Sequence, residues 1–133
     1  MRLRPGTIVI LYGCAYMKSH VLILEDDFLQ AANLEVVVQY DLDGDPIGVS
    51  TVSEALQIIP DDIALALLDI EVRDGKSYPV ARKLKENNIP FIIVSGNEQA
   101  SLPNDLKDGP FLAKPVAPGR LVRLARALSS AFE

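Results

Sequence analysis

Three short, almost continuously apolar runs punctuate the chain: VLIL at Val21 to Leu24, IALALL at Ile63 to Leu68 and FIIV at Phe91 to Val94. Runs of this length and purity fit strands buried on both faces of a parallel sheet. Between them lie stretches with helical spacing, Phe28 to Tyr40 and Tyr78 to Asn87. In the second, Val80, Ala81 and Leu84 fall on one side and Arg82, Lys83 and Lys85 on the other. Asn87-Asn88 ahead of Ile89-Pro90 reads as a helix stop followed by a strand entry, because proline disfavours the helical region for the residue before it. Pro118 opens a last helix with Leu121, Leu124, Ala125 and Leu128 inward and Arg120, Arg123 and Arg126 outward. Weaker patterns predict a second strand near Pro46 to Val52, a second helix near Ser53 to Ile59 and a fifth strand at Phe111 to Ala113. Five strands alternating with four or five helices imply right-handed crossovers covering both faces of a parallel sheet, a doubly wound α/β fold.

With 133 residues, 49% hydrophobic and 23% charged, the chain makes one domain with an ordinary core. The net charge of −5 works against binding a phosphate backbone, so nucleic acid is an unfavourable partner. One cysteine, Cys14, forms no internal disulfide, and one Cys with one His, His20, builds no four-ligand zinc site. No apolar run approaches the roughly 20 residues that a membrane helix needs.

In an open parallel sheet, ligands bind beyond the carboxyl ends of the strands, where the strand order reverses. Here those ends carry Glu25-Asp26-Asp27, Asp69, Ser95-Gly96 and Lys114-Pro115. Taken singly, each has a plain account: a solvated first turn, a loop cap, a turn, a surface lysine. Their joint order points to one pocket holding two or three carboxylates, a hydroxyl and an ammonium. Two carboxylates about 4 Å apart repel by roughly 4 kcal/mol at an effective dielectric near 20, which implies a divalent cation. An all-oxygen site with few protein ligands suits Mg²⁺, with positions left for phosphoryl oxygens. Asp69 is then the candidate nucleophile toward phosphorus, with Lys114 neutralising charge on the transferred group.

The ordered set ILEDD, LLDIEV followed by DG, VSG and FLAKP resembles the receiver domain of two-component response regulators, a flavodoxin-like fold, over about His20 to Phe132. The resemblance implies a stand-alone receiver without an output domain. It makes Glu25 and Asp26 the Mg²⁺-holding pair, Asp69 the phosphoacceptor and metal ligand, and the Glu71 backbone carbonyl a further ligand. Ser95 becomes the phosphoryl-binding hydroxyl, Lys114 the ion-pairing lysine, and Phe111 the aromatic partner of Ser95 in a switch. Lys114-Pro115 is expected to be cis. The implied partners are a histidine kinase or histidine phosphotransfer protein as donor and a downstream protein as reader, in the cytoplasm, with homodimerisation left open. His20, at the far end of the first core strand, rules out self-supply of phosphohistidine.

The chain also departs from that family. Arg73 stands where a proline usually precedes the DG, in a shortened loop, and the stretch from Ser95 to Lys114 is short and interrupted by Leu102-Pro103. A short or absent helix is expected there, which puts dimerisation through it in doubt. Glu71 and Asn97 occupy positions that tune phosphate lifetime in the family. Asp41, Asp43 and Asp45 mimic a calcium loop, but Gly44 is misplaced and Val52 holds the position of the closing glutamate. No glycine pattern for dinucleotide or P-loop nucleotide binding occurs. Two alternatives stay open: a phosphorylation-independent interaction module of the same fold, and a small Mg²⁺-dependent phosphohydrolase of the haloacid-dehalogenase kind using DIE at Asp69 to Glu71. The latter's nucleophile should end the first strand.

Residues 1–16, with Arg2 and Arg4 before an apolar stretch, have the outline of a secretory signal, and LYGC at Leu11 to Cys14 that of a lipoprotein box. A site needing a cytoplasmic phosphodonor disfavours export. The plainer expectations are an extension ahead of a receiver unit at residues 17–133 that starts at Met17, or an added edge strand or helix turn at Thr7 to Leu11. Without residues 1–16, which carry two arginines and no acid, 11 basic groups face 18 acidic ones.

Overall fold

The computed structural model describes residues 7–11, 14–59, 62–96 and 101–133. Two short strands, β1 (Thr7–Leu11) and β2 (Cys14–Lys18), pair antiparallel as a separate ribbon. The segment at Thr7 is therefore a strand, but it adds no edge to the main sheet, and β2 runs across the boundary expected at residue 16. Arg2, Arg4 and the middle of LYGC lie outside the described residues.

The main sheet is built from β3 (His20–Leu24), β4 (Asp45–Val49), β5 (Leu65–Leu68), β8 (Phe91–Ser95) and β9 (Phe111–Ala113), all parallel, in the order β4-β3-β5-β8-β9. Four α-helices cover it: α1 (Phe28–Val36), α2 (Val52–Ile58), α3 (Tyr78–Glu86) and α4 (Pro118–Leu128). Side chains alternate across the strands, so each central strand feeds two cores. Leu22, Leu24, Ala66, Leu68 and Ile93 meet α2 and α3 through Ala55, Val80, Ala81 and Leu84. Val21, Ile23, Leu65, Leu67 and Val94 meet α1 and α4 through Leu34, Leu121 and Ala125. The all-buried pattern of β3, β5 and β8 is why their sequences read as unbroken apolar runs.

Two local features differ from the sequence expectation, and a third matches it. The helix expected over Phe28 to Tyr40 is α-helical only to Val36, and Val37–Asp41 form a π turn closed by the Leu42 N–H donating to the Val37 carbonyl at 3.1 Å. The wider turn keeps Val37, Val38 and Leu42 buried. A second ribbon, β6 (Glu71–Val72) with β7 (Gly75–Lys76), follows Asp69 and turns on Arg73 and Asp74, with Gly75 at φ +129°. That φ suits glycine alone among common residues. Finally, no α-helix lies between β8 and β9 among the described residues, as the shortened sequence leads one to expect.

In place of a helix, Leu102 and Leu106 enter the α3-side core, and Asp105 is tied to α3 by a two-pronged bond from Arg82 at 2.8 and 3.2 Å. Lys85 Nζ donates to the Asp105 carbonyl at 2.9 Å. Asn88 stops α3 in the left-handed region, at φ 56°, while Ile89 N–H reaches the Leu84 carbonyl and Asn88 N–H the Lys85 carbonyl. This Schellman pattern satisfies the Leu84 and Lys85 carbonyls at the end of the helix.

Candidate functional site

The chain leaves β3, crosses to β4 on one side and returns to β5 on the other, so the strand order reverses between β3 and β5. The crevice beyond that reversal receives Glu25 and Asp26 from the end of β3 and Asp69 from the end of β5. Two main-chain bonds fix the strand ends: Glu25 N–H donates to the Val49 carbonyl at 3.1 Å and Asp69 N–H to the Leu24 carbonyl at 2.9 Å. Carboxylate oxygens of Glu25, Asp26 and Asp69 lie within 4.8 Å of one another, Glu25 buried, Asp69 half-buried and Asp26 exposed. Such a set is all oxygen, graded from wet to dry, and fits a hard divalent cation that keeps part of its water.

Lys114, from the end of β9, closes the crevice. Its ammonium lies 2.7 Å from Glu25 Oε1 and 3.2 Å from Asp69 Oδ2. The remaining oxygens are held by the main chain: Asp69 Oδ1 accepts from Ile70 N–H at 2.8 Å and Glu25 Oε2 from Asp27 N–H at 3.2 Å. Burial pushes the Glu25 carboxyl up despite its bond to Lys114, with the nearby Asp69 adding to the rise. Lys114 is pulled down by its own burial, but two carboxylates outweigh this and hold it above the usual lysine value. The directions agree once the neighbours are counted: the ammonium faces two opposite charges, whereas Glu25 faces one opposite and one like charge in the drier position.

Ser95 is buried at the end of β8, between the strands carrying Asp69 and Lys114, and its carbonyl accepts from Lys114 N–H at 3.0 Å. Phe111 is half-buried against the α3-side core, two residues from Ala113, the register partner of Ser95. The Lys114–Pro115 bond is cis, as expected. Glu71 lies in β6, two residues past Asp69, and its exposed side chain pairs with Lys76 across the ribbon. Asn97 lies outside the described residues.

The third acid of the triplet has a different role: Asp27 caps α1, accepting from Gln30 N–H at 3.0 Å. His20 starts β3 at the opposite end of the sheet, buried, with Nδ1 2.8 Å from Asp45. Sequence reasoning missed Asp74, whose carboxylate accepts from Val52 N–H at 2.7 Å and Ser53 N–H at 3.2 Å at the start of α2. The available signal was the Asp-Gly dipeptide, which marks a tight turn. It also missed an open groove of about 690 Å³ beside the crevice, between α1 and the start of α4, floored by Leu34, Val37, Val94 and Val116.

Asp69 ends the third strand of the sheet in chain order, which removes the reading as a dehalogenase-like phosphohydrolase. No helix is long and apolar enough to cross a membrane among the described residues. Comparisons with family models and with curated proteins return no match. Solved structures do match. SdrG from Sphingomonas melonis Fr1 is 36% identical, with a TM-score of 0.72 over 84% of this chain and 96% of that one. The BeF3-activated conformation of SdrG from Pseudomonas melonis Fr1 is 37% identical, with a TM-score of 0.67 over 82% and 94%. A CheY-like response regulator receiver domain protein from Methanospirillum hungatei JF-1 shares the fold at 23% identity, with a TM-score of 0.71 over 83% and 92%. With the crevice at the sheet's reversal point and relatives of this identity along most of its length, the chain belongs to the CheY-like response regulator receiver domains.

Proposed function

We propose that the protein accepts a phosphoryl group on Asp69 from a phosphohistidine of a histidine kinase or phosphotransfer protein, with Mg²⁺ as cofactor, in the cytoplasm. The observation that carries this reading is the ammonium of Lys114 set between Glu25 and Asp69 at 2.7 and 3.2 Å, at the reversal point of the sheet. Glu25, Asp26, Asp69 and the Glu71 carbonyl would hold the metal, which supplies positive charge against the phosphoryl oxygens. Ile70 N–H orients the Asp69 carboxylate for attack on phosphorus. The O–P bond forms as the donor's P–N bond breaks, and the imidazole leaves with that electron pair. Lys114 and the Ser95 hydroxyl neutralise and hydrogen-bond the transferred oxygens.

Phe28 and Leu29, 83% and 72% exposed, open α1 directly after the Glu25–Asp27 segment and offer the donor an apolar landing. Phosphorylation adds up to about two negative charges beside Ser95 and biases the packing of Phe111. The changed surface near Phe111 and α4 then selects a reader protein. NMR shifts of Phe111 that ignore beryllofluoride would refute the switch.

Intact-mass spectrometry after incubation with acetyl phosphate and Mg²⁺ tests the central step. A phosphoryl adduct is expected in the wild type and is lost in Asp69→Asn and with a chelator. No adduct together with no beryllofluoride binding would leave a phosphorylation-independent module of the same fold.

A further inference from the structure

Helix α2 has only seven residues, too few to persist on its own propensity, and its first N–H groups need acceptors. One is local: Thr51 Oγ1 accepts from Glu54 N–H at 3.1 Å. The next two, on Val52 and Ser53, are taken by the two carboxylate oxygens of Asp74, more than twenty positions further along the chain. At the other end of α2, Lys83 Nζ donates to the Leu56 carbonyl at 3.0 Å. The phosphoacceptor loop and the helix after it thus supply a carboxylate to the amino end of α2 and an ammonium to its carboxyl end, each the favourable sign for the helix dipole.

Asp74 sits in the turn of the β6–β7 ribbon, which begins two residues after Asp69 and closes where Ser77 N–H donates to the Ile70 carbonyl at 2.8 Å. A ribbon of two residues per strand is not stable alone. Its Glu71, Arg73, Asp74, Gly75 and Lys76 are exposed, and only Val72 is anchored in the core. The tip is therefore fixed chiefly by the two bonds that Asp74 accepts from Val52 and Ser53 N–H. They tie the ribbon to the start of α2, which follows β4, the strand whose Val49 carbonyl receives Glu25 N–H.

We infer that Asp74 is the positioning residue of the phosphoacceptor loop: by capping α2 from the ribbon turn it holds residues 69–77 so that Asp69 and the Glu71 main chain face Glu25 and Asp26. The metal part of this inference rests on the function proposed above, and the ordering of the loop does not.

The test uses the full chain with Asp74→Ala, Asp74→Asn and, as a control, Lys83→Met, which removes the other tertiary bond to α2 without touching the ribbon. Amide exchange at Ser77, normalised to β3 amides, reads loop order. It should quicken in Asp74→Ala, quicken less in Asp74→Asn, which retains one acceptor oxygen, and stay unchanged in Lys83→Met. Calorimetric Mg²⁺ titration should show about tenfold weaker binding in Asp74→Ala, the loss typical of groups that orient metal ligands, and wild-type affinity in Lys83→Met. Wild-type exchange in Asp74→Ala, or equal changes in Lys83→Met, would reduce Asp74 to a helix cap and overturn the inference. If the wild type itself takes up no Mg²⁺, the function proposed for the site falls, and Ser77 exchange alone decides the role of Asp74.

Discussion

Replacing Lys114 with methionine keeps most of the aliphatic stem and removes the charge that joins Glu25 to Asp69. At an effective dielectric near 20, unit charges separated by the two observed distances, 2.7 and 3.2 Å, attract by about 6 and about 5 kcal/mol. Desolvation of the three groups offsets most of this, so the net loss is set by the buried carboxylate left without its cation. Removing one partner of a buried pair costs about 3–5 kcal/mol, and the lower figure applies because Lys114 retains 19% side-chain exposure against 1% for Glu25. At about 4 °C per kcal/mol for a chain of this length, Tm in chelator should fall by about 12 °C. Under the proposed function Mg²⁺ would meet the same two carboxylates, so the gap between variant and wild type should narrow in its presence, seen by differential scanning calorimetry. Adding Glu25→Gln to Lys114→Met should recover more than half of the loss, because the stranded charge is gone. A fall below about 3 °C in chelator, with no recovery in the double variant, would show that Lys114 does not neutralise the pair and would refute the electrostatic account of the crevice.

Further outcomes follow from the same contacts. Leu106→Ala should cost about 2–5 kcal/mol by urea denaturation, whereas Arg82→Ala should cost far less, because Leu106 is buried and the Arg82–Asp105 pair is exposed; the reverse order would mean that the ion pair holds the segment after β8. Asp105, Asp74 and Glu54 are held below their ordinary values chiefly by the Arg82 side chain, the Val52 N–H and the Thr51 hydroxyl. Each contributes stability that is present above the unfolded value, 3.8 for Asp and 4.5 for Glu, and lost as pH falls through the lower folded value. Urea midpoints should therefore drop on acidification below about pH 4, less steeply in Asp105→Asn, and a flat profile there would contradict these bonds. Glu25 has the opposite sign, since its raised value makes ionisation costly as pH rises above 4.5. Mg²⁺ should consequently raise Tm most at neutral pH, by an amount growing with concentration as mass action requires, and Glu25→Gln should blunt that rise.

The sheet was legible because β3, β5 and β8 are buried on both faces, which leaves a period-free apolar signature that few other elements share. Glu25, Asp26, Asp69 and Lys114 were legible by position, since strand ends in a parallel sheet share one edge. Asp27 was ambiguous, because capping and metal binding ask for the same side chain and only the bond from Gln30 separates them. The π turn after Val36 carries no composition of its own, as Val37 and Val38 suit a continued helix equally well. The β6–β7 ribbon escaped because two-residue strands are too short for any period to register. Asp74 escaped because its partners, Val52 and Ser53, are remote in the chain and are backbone groups that no residue type announces.

The bond from Lys114 to Glu25 joins positions 89 residues apart. The crevice therefore has no partial form: until β9 has paired with β8, the carboxylates lack the cation that makes their closeness tolerable. A chain lacking Lys114 would keep Glu25 and Asp69 side by side with no ammonium between them. The charge set of the crevice thus assembles only when β9 pairs with β8, through contacts of high sequence separation whose loop-closure cost falls on the end of folding.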